Sequence, residues 1–90
     1  MARTLLLGDE IALPTTTGTA SSLSEATVVR LINNDGSSSH TVYVVETRSG
    51  TGIGSMTLPS GAVEYLEKRP THCVYALSAN VRAAKVGFTA

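Results

Sequence analysis

Residues 26–61 read ATVVRLINNDGSSSHTVYVVETRSGTGIGSMTLPSG, and this stretch decides the fold. Val, Ile and Thr gather in short runs, each stopped by turn chemistry at Asn34-Asp35-Gly36-Ser37, at Arg48-Ser49-Gly50-Thr51-Gly52 and at Pro59-Ser60-Gly61. β-branched side chains pack well on a pleated surface, Gly, Asn and Asp accept positive φ, and Pro presets the first corner of a turn. The pattern predicts a strand over 26–33, a second over 40–47 joined to it as a hairpin through Asp35-Gly36, and a third over 53–58. Working outward, a fourth strand covers 62–68 and ends before Pro70, which lacks an N–H and keeps Arg69 out of the helical region. A fifth covers 73–78. The last covers 85–89, with Val81 as an alternative start, and puts Val86 and Phe88 on one face.

The whole chain agrees with this reading. It holds twelve Thr, nine Val and three Ile, and few of the Lys, Glu and Gln that fill exposed helix faces. Short strands punctuated at regular spacing predict an all-β fold: a small antiparallel β-sandwich, Ig-like or jelly-roll-like, of about six to eight strands with an extended N-terminal segment. Ninety residues make one domain with a radius of gyration of about 12 Å and a small core.

Residues 1–25 read differently from residues 26–90. Pro14, Gly18 and the polar run from Thr15 to Ser22 break any periodicity. Ordering this segment takes more than burial of Leu5, Leu6, Leu7, Ile11, Leu13 and Leu23, so sheet hydrogen bonds must contribute. Either residues 3–7 and 10–14 add edge strands to the sandwich, or the segment is an arm that orders against a neighbour.

Seven Lys plus Arg balance seven Asp plus Glu, and charged residues are 16% of the chain against about 25% in ordinary soluble domains. Without a basic stripe, neither a nucleic acid held by its phosphates nor an anionic membrane surface is expected as a partner. Cys73 is the sole cysteine, so the fold rests on packing rather than on disulfides. Leu5-Leu6-Leu7 mimics the start of a signal peptide, but Asp9 and Glu10 end the apolar run far short of the roughly 7–15 residues required. The expectation is a chain made in the cytoplasm and not processed.

No motif carries chemistry. Gly50-Thr51-Gly52-Ile53-Gly54 is spaced G-x-G-x-G and leads into Met56-Thr57-Leu58-Pro59 rather than a helix N-terminus, so it reads as a loose hairpin connection, not a phosphate cradle. His40 and His72 are not at ligand spacing, and alternation sends His72 and Cys73 to opposite faces. The serines form no nucleophile elbow, and Cys73 reads as a small buried apolar side chain. No catalytic, cofactor-binding or metal-binding residue is expected, and the chain is not expected to be an enzyme. Lys68, Arg69 and His72 form the densest basic group, opposed by Glu64 and Glu67, and read as a solvated loop. Tyr43, Tyr65, Tyr75 and Phe88 fall inside strand runs and read as core anchors. In the 26–33 strand neither face is clean: Thr27, Val29 and Leu31 alternate with Ala26, Val28, Arg30 and Ile32. Apolar residues on both faces point either to partial cover of the outer side or to β-branched residues tolerated in the open.

Taken in succession, Val29-Arg30-Leu31-Ile32-Asn33, Val42-Tyr43-Val44, Gly54-Ser55-Met56-Thr57-Leu58 with Gly61, Leu66-Glu67-Lys68, Pro70-Thr71-His72, Val74-Tyr75-Ala76 and Ala84-Lys85-Val86-Gly87-Phe88-Thr89 resemble the small β-sandwich virion proteins of tailed bacteriophages, especially those infecting marine cyanobacteria. The resemblance covers residues 26–90. It implies a virion structural protein without catalytic residues, most simply a capsid decoration or cement protein bound to the major capsid protein, with a head-to-tail connector, tail or fibre component acting as a binding module as the alternative. Other virion proteins, and further copies of the chain, would be its partners. The residues expected at interfaces are Arg3, Leu5 and Leu7 in the N-terminal segment and Lys68, Arg69 and His72 in the basic group.

Overall fold

In a computed structural model, which describes residues 3–16, 18, 20–48 and 50–89, the β-prone runs form two antiparallel sheets packed face to face. The strands are β1 (Arg3–Leu6), β2 (Ile11–Ala12), β3 (Val28–Asn33), β4 (His40–Val45), β5 (Gly52–Leu58), β6 (Val63–Glu67), β7 (Cys73–Ala76) and β8 (Val81–Thr89). No α-helix occurs among the described residues, and the fold is the small β-sandwich expected. Its radius of gyration is 12.2 Å. Thr17 and Thr19 of the polar run and Ser49 of the 48–52 turn lie outside the described residues.

The larger sheet has the order β1-β8-β3-β6, with β2 also on β8, and the smaller has the order β5-β4-β7. Residues 3–6 and 11–12 are thus edge strands laid along opposite ends of β8, with Leu7 N–H donating to the Lys85 carbonyl and Leu13 N–H to that of Val81 between and beyond them. The core lies between the sheets. Val29 and Leu31 of β3, Val42 of β4, Leu58 of β5, Val74 and Ala76 of β7 and Val81 and Ala83 of β8 meet there, joined by Leu13 and Leu23 from the N-terminal quarter.

One connection corrects the sequence reading. β3 and β4 are not a hairpin: β3 pairs with β6 and β8, β4 pairs with β5 and β7, and residues 34–39 carry the chain from one sheet to the other. The cause is a polar corner. Asn33 is fully buried, and its side-chain amide donates to the carbonyls of Ser38 (2.9 Å) and Leu58 (2.8 Å) while Oδ1 accepts from Asp35 N–H (3.0 Å). The Asp35 carboxylate accepts from Ser37 and Ser38 N–H and lies 2.8 Å from His40 Nε2. A two-residue turn would return the chain within its own sheet; this six-residue arch, stapled at both ends, sends it across. The β5–β6, β6–β7 and β7–β8 connections also cross between the sheets, so β4–β5 is the only sequence-adjacent pair among the described strands that forms a hairpin.

Pro59-Ser60-Gly61-Ala62 does close as anticipated, with Ala62 N–H on the Pro59 carbonyl (3.0 Å) and Gly61 at φ 76°, the value that favours glycine in this turn. Less usual are Leu23, Ser24 and Glu25, all left-handed at φ 55°, 57° and 56°. They form one left-handed turn closed by Ala26 N–H on the Ser22 carbonyl (3.2 Å), with Leu23 N–H and Glu25 N–H bonded to the hydroxyls of Ser21 and Ser22.

Candidate functional site

The residues expected at interfaces fall into two groups on different sides of the larger sheet, since β8 and β3 stand between β1 and β6. Arg3, Leu5 and Leu7 are all exposed at the β1 edge. Leu5 and Leu7 stand on the core-facing side of this edge, opposite Gly87 and Lys85, yet are 48% and 51% exposed.

Lys68, Arg69 and His72 lie past the end of β6, and they are not a solvated loop. Lys68 is only 7% exposed, its N–H bonds the Thr27 carbonyl, and its ammonium donates to the carbonyls of Ala26 (2.8 Å) and Arg69 (3.3 Å). The left-handed turn explains this. A helical turn ends in carbonyls without partners, and here Lys68 satisfies that of Ala26 while the Lys85 ammonium satisfies that of Ser24 (3.0 Å). Burial pushes the Lys68 pKa below its ordinary value, and no carboxylate comes within ion-pair distance of it among the described residues. Arg69 remains exposed and His72 half-buried beyond the turn at Pro70, where His72 N–H closes on the Arg69 carbonyl.

These three basic residues border a cleft of about 470 Å³, where the smaller sheet's edge strand β5 and the larger sheet's edge strand β6 splay apart. Val42, Val44, Met56 and Leu66 make its walls and Ile53 its lip. The glycine run, read as a connection, supplies the cleft instead: Gly52 and Gly54 lie in β5. The register shift between Val44 and Val45 leaves Ile53 as the extra residue of a bulge, and a side chain at Gly54 would meet nothing within 4 Å.

A second surface escaped the sequence reading. Tyr65 and Phe88 are not core anchors: they touch edge to face (5.2 Å between centroids) on the outer side of the larger sheet, 45% and 48% exposed, and the Tyr65 hydroxyl lies 3.2 Å from Thr4 Oγ1. Leu6, opposite Val86 and 71% exposed, and Val63 extend this apolar face. The mixed faces of the 26–33 strand were its signal, because Val28, Arg30 and Ile32 occupy the same side. Glu10 closes one end of it, 3.8 Å from Arg30 and 3.5 Å from Arg82. Tyr43 and Tyr75 stack at 4.9 Å on the other sheet's outer side, half-buried, beside Cys73, which is buried with Ala20 and Val45.

No group of three or more His, Cys, Asp and Glu converges among the described residues. The arrangement offers contact surfaces: an apolar face, a leucine-bearing edge and a cleft with a basic end. No family model, curated protein or solved structure matches the chain.

Proposed function

We propose that this chain is a structural protein of a bacteriophage virion, a decoration or cement protein that binds the major capsid protein and reinforces the shell. It acts by contact rather than by chemistry, without a cofactor, nucleic acid or membrane, and is made in the host cytoplasm for assembly into the particle. The observation that carries the reading is the apolar outer face of the larger sheet. Leu6, Val63, Tyr65 and Phe88 stand exposed on a face that the sandwich core does not use. Apolar patches of this kind on small domains mark surfaces of association, and many copies on a lattice multiply modest contacts. Low charge and zero net balance suit a surface that is to be covered.

The test is the composition of purified particles. The chain is expected in mature virions and absent from capsids assembled without it, which should then break at lower temperature. Deleting residues 1–10 should abolish incorporation while leaving the sandwich folded; the cut stops there because Leu13 belongs to the core and the Pro14 carbonyl accepts from Ala76 N–H. A chain that sediments apart from particles at every stage of assembly would end this reading.

A further inference from the structure

The four lateral edges of the two sheets are not alike. The β7 edge is covered by the chain itself, through the Ser21–Val74 bridge and the Ala76 N–H bond to Pro14. At the β6 edge Glu64, which opposes Leu31, carries a carboxylate on the core-facing side of an edge strand, a usual device against strand addition. The other two edges lack such protection. Gly54–Leu58 of β5 runs in regular register beyond the bulge with neither charge nor proline, and β1 presents Leu5, Leu6 and Leu7 in the open.

These two edges complement each other in shape, order and charge. β5 ends at Leu58 beside the Asn33 corner, and its Gly52 end lies by Val45, which pairs with Cys73, so His72 and the end of β6 flank the Gly52 end. The basic residues are therefore gathered at one end of the cleft. The N-terminal edge reads in the opposite order, Arg3-Thr4-Leu5-Leu6-Leu7-Gly8-Asp9-Glu10, with apolar residues first and carboxylates last. Laid antiparallel on β5, with Arg3 opposite Leu58, it places Leu5 opposite Met56 and Leu7 opposite Gly54. Leu7 then enters the space left by the missing side chain, and Asp9, past the bend at Gly8, follows at the end of the cleft where Lys68, Arg69 and His72 are gathered. A strand laid parallel would bring the carboxylates to the wrong end.

We propose that β1 of one copy adds antiparallel to β5 of a second copy, keeping its own ladder to β8, with Leu5 and Leu7 filling the cleft and Asp9 meeting its basic end. The contact is heterologous, so it propagates head to tail into rings or filaments rather than stopping at a two-fold dimer. It stands independently of which larger particle the protein joins.

Two single-cysteine variants in a Cys73→Ala background test the register directly. Leu7→Cys and Gly54→Cys both fall at exposed positions, and the second meets no neighbouring atom, so the fold is kept. Under mild oxidation an equimolar mixture should give a disulfide-linked dimer that neither variant gives alone. Sedimentation velocity should show species beyond the dimer as concentration rises. Asp9→Lys or Arg69→Glu alone should raise the self-association Kd about tenfold, and mixing the two should restore it, because each then meets a complementary charge. Cross-linking of Gly54→Cys with itself would mean a β5–β5 dimer, and of Leu7→Cys with itself a β1–β1 dimer. Either result, or a chain that stays monomeric throughout, would overturn the proposal.

Discussion

Asn33 does more for this fold than its size suggests. It is polar, fully buried, and ties both ends of the 34–39 arch and the end of β5 together through three hydrogen bonds. Replacing it with Leu keeps the volume but leaves two carbonyls and an N–H without partners; we expect a loss of about 2–4 kcal/mol in urea unfolding, against under about 1 kcal/mol for exposed Asn34→Leu. Its neighbour Asp35 gives the protein a pH dependence. The hydrogen bond to His40, then those from Ser37 and Ser38 N–H, hold its carboxyl well below the usual carboxylate range. A carboxyl depressed in the folded state adds stability that is complete above its unfolded pKa of about 3.9 and disappears as pH falls toward the lower folded value. Unfolding midpoints measured from pH 7 to pH 2 should drop below pH 4, and Asp35→Asn should flatten that drop. The left-handed turn supplies a third case. L-residues resist this conformation by roughly 1–2 kcal/mol each, so Ser24→Gly, at an exposed position, should raise stability by about 0.5–1 kcal/mol once glycine's greater unfolded freedom is subtracted. Thermal melts would register it as a higher Tm. None of these roles was legible beforehand. Asn33 read as the end of a strand and Lys68 as part of a solvated loop, and their burial follows from partners 25 and 42 residues away, the Leu58 and Ala26 carbonyls.

At the scale of elements, the strand positions were written in the sequence and most of their pairings were not. β-branched runs and Gly, Pro and Asp stops place β3 to β7 within two residues of the expected bounds, because both signals are local. Pairing is decided by what lies across the core. Asp35-Gly36 resembles a tight hairpin, and only the three serines that follow lengthen the connection enough to cross between sheets. The same holds for the cleft: its basic trio was visible as a cluster, but its walls come from β4, β5 and β6, and Gly54 looked like loop material. Gly54→Val adds a β-branched side chain to a strand, into open space and without positive φ, so it should stabilise the monomer by about 1 kcal/mol. In sedimentation the same substitution should abolish head-to-tail association, because it occupies the room that Leu7 of a neighbour requires. Gain of stability with loss of assembly is the opposite of what general damage would give.

The molecule as a whole is a slab of 35 × 31 × 20 Å, and its exposed large apolar side chains include Leu6, Val63, Tyr65 and Phe88 on the outer side of the larger sheet. Leu6→Ser together with Phe88→Ser should leave the far-UV circular dichroism unchanged, since both side chains are substantially exposed, and should remove the chain from particles; undiminished incorporation would assign the docking surface elsewhere. The order of the strands has a further consequence, for the timing of synthesis. β1 is made first, yet its partner is β8, some eighty residues later. At about 5–20 residues per second, the leucine strand waits for several seconds on the ribosome with no place in its own chain. A folding route this dependent on distant pairings is slow, on the order of milliseconds to seconds even after release. During that interval both edges of the leucine strand stand open, and the one that faces away from β8 in the finished fold is the edge that a neighbour's β5 takes in the proposed contact.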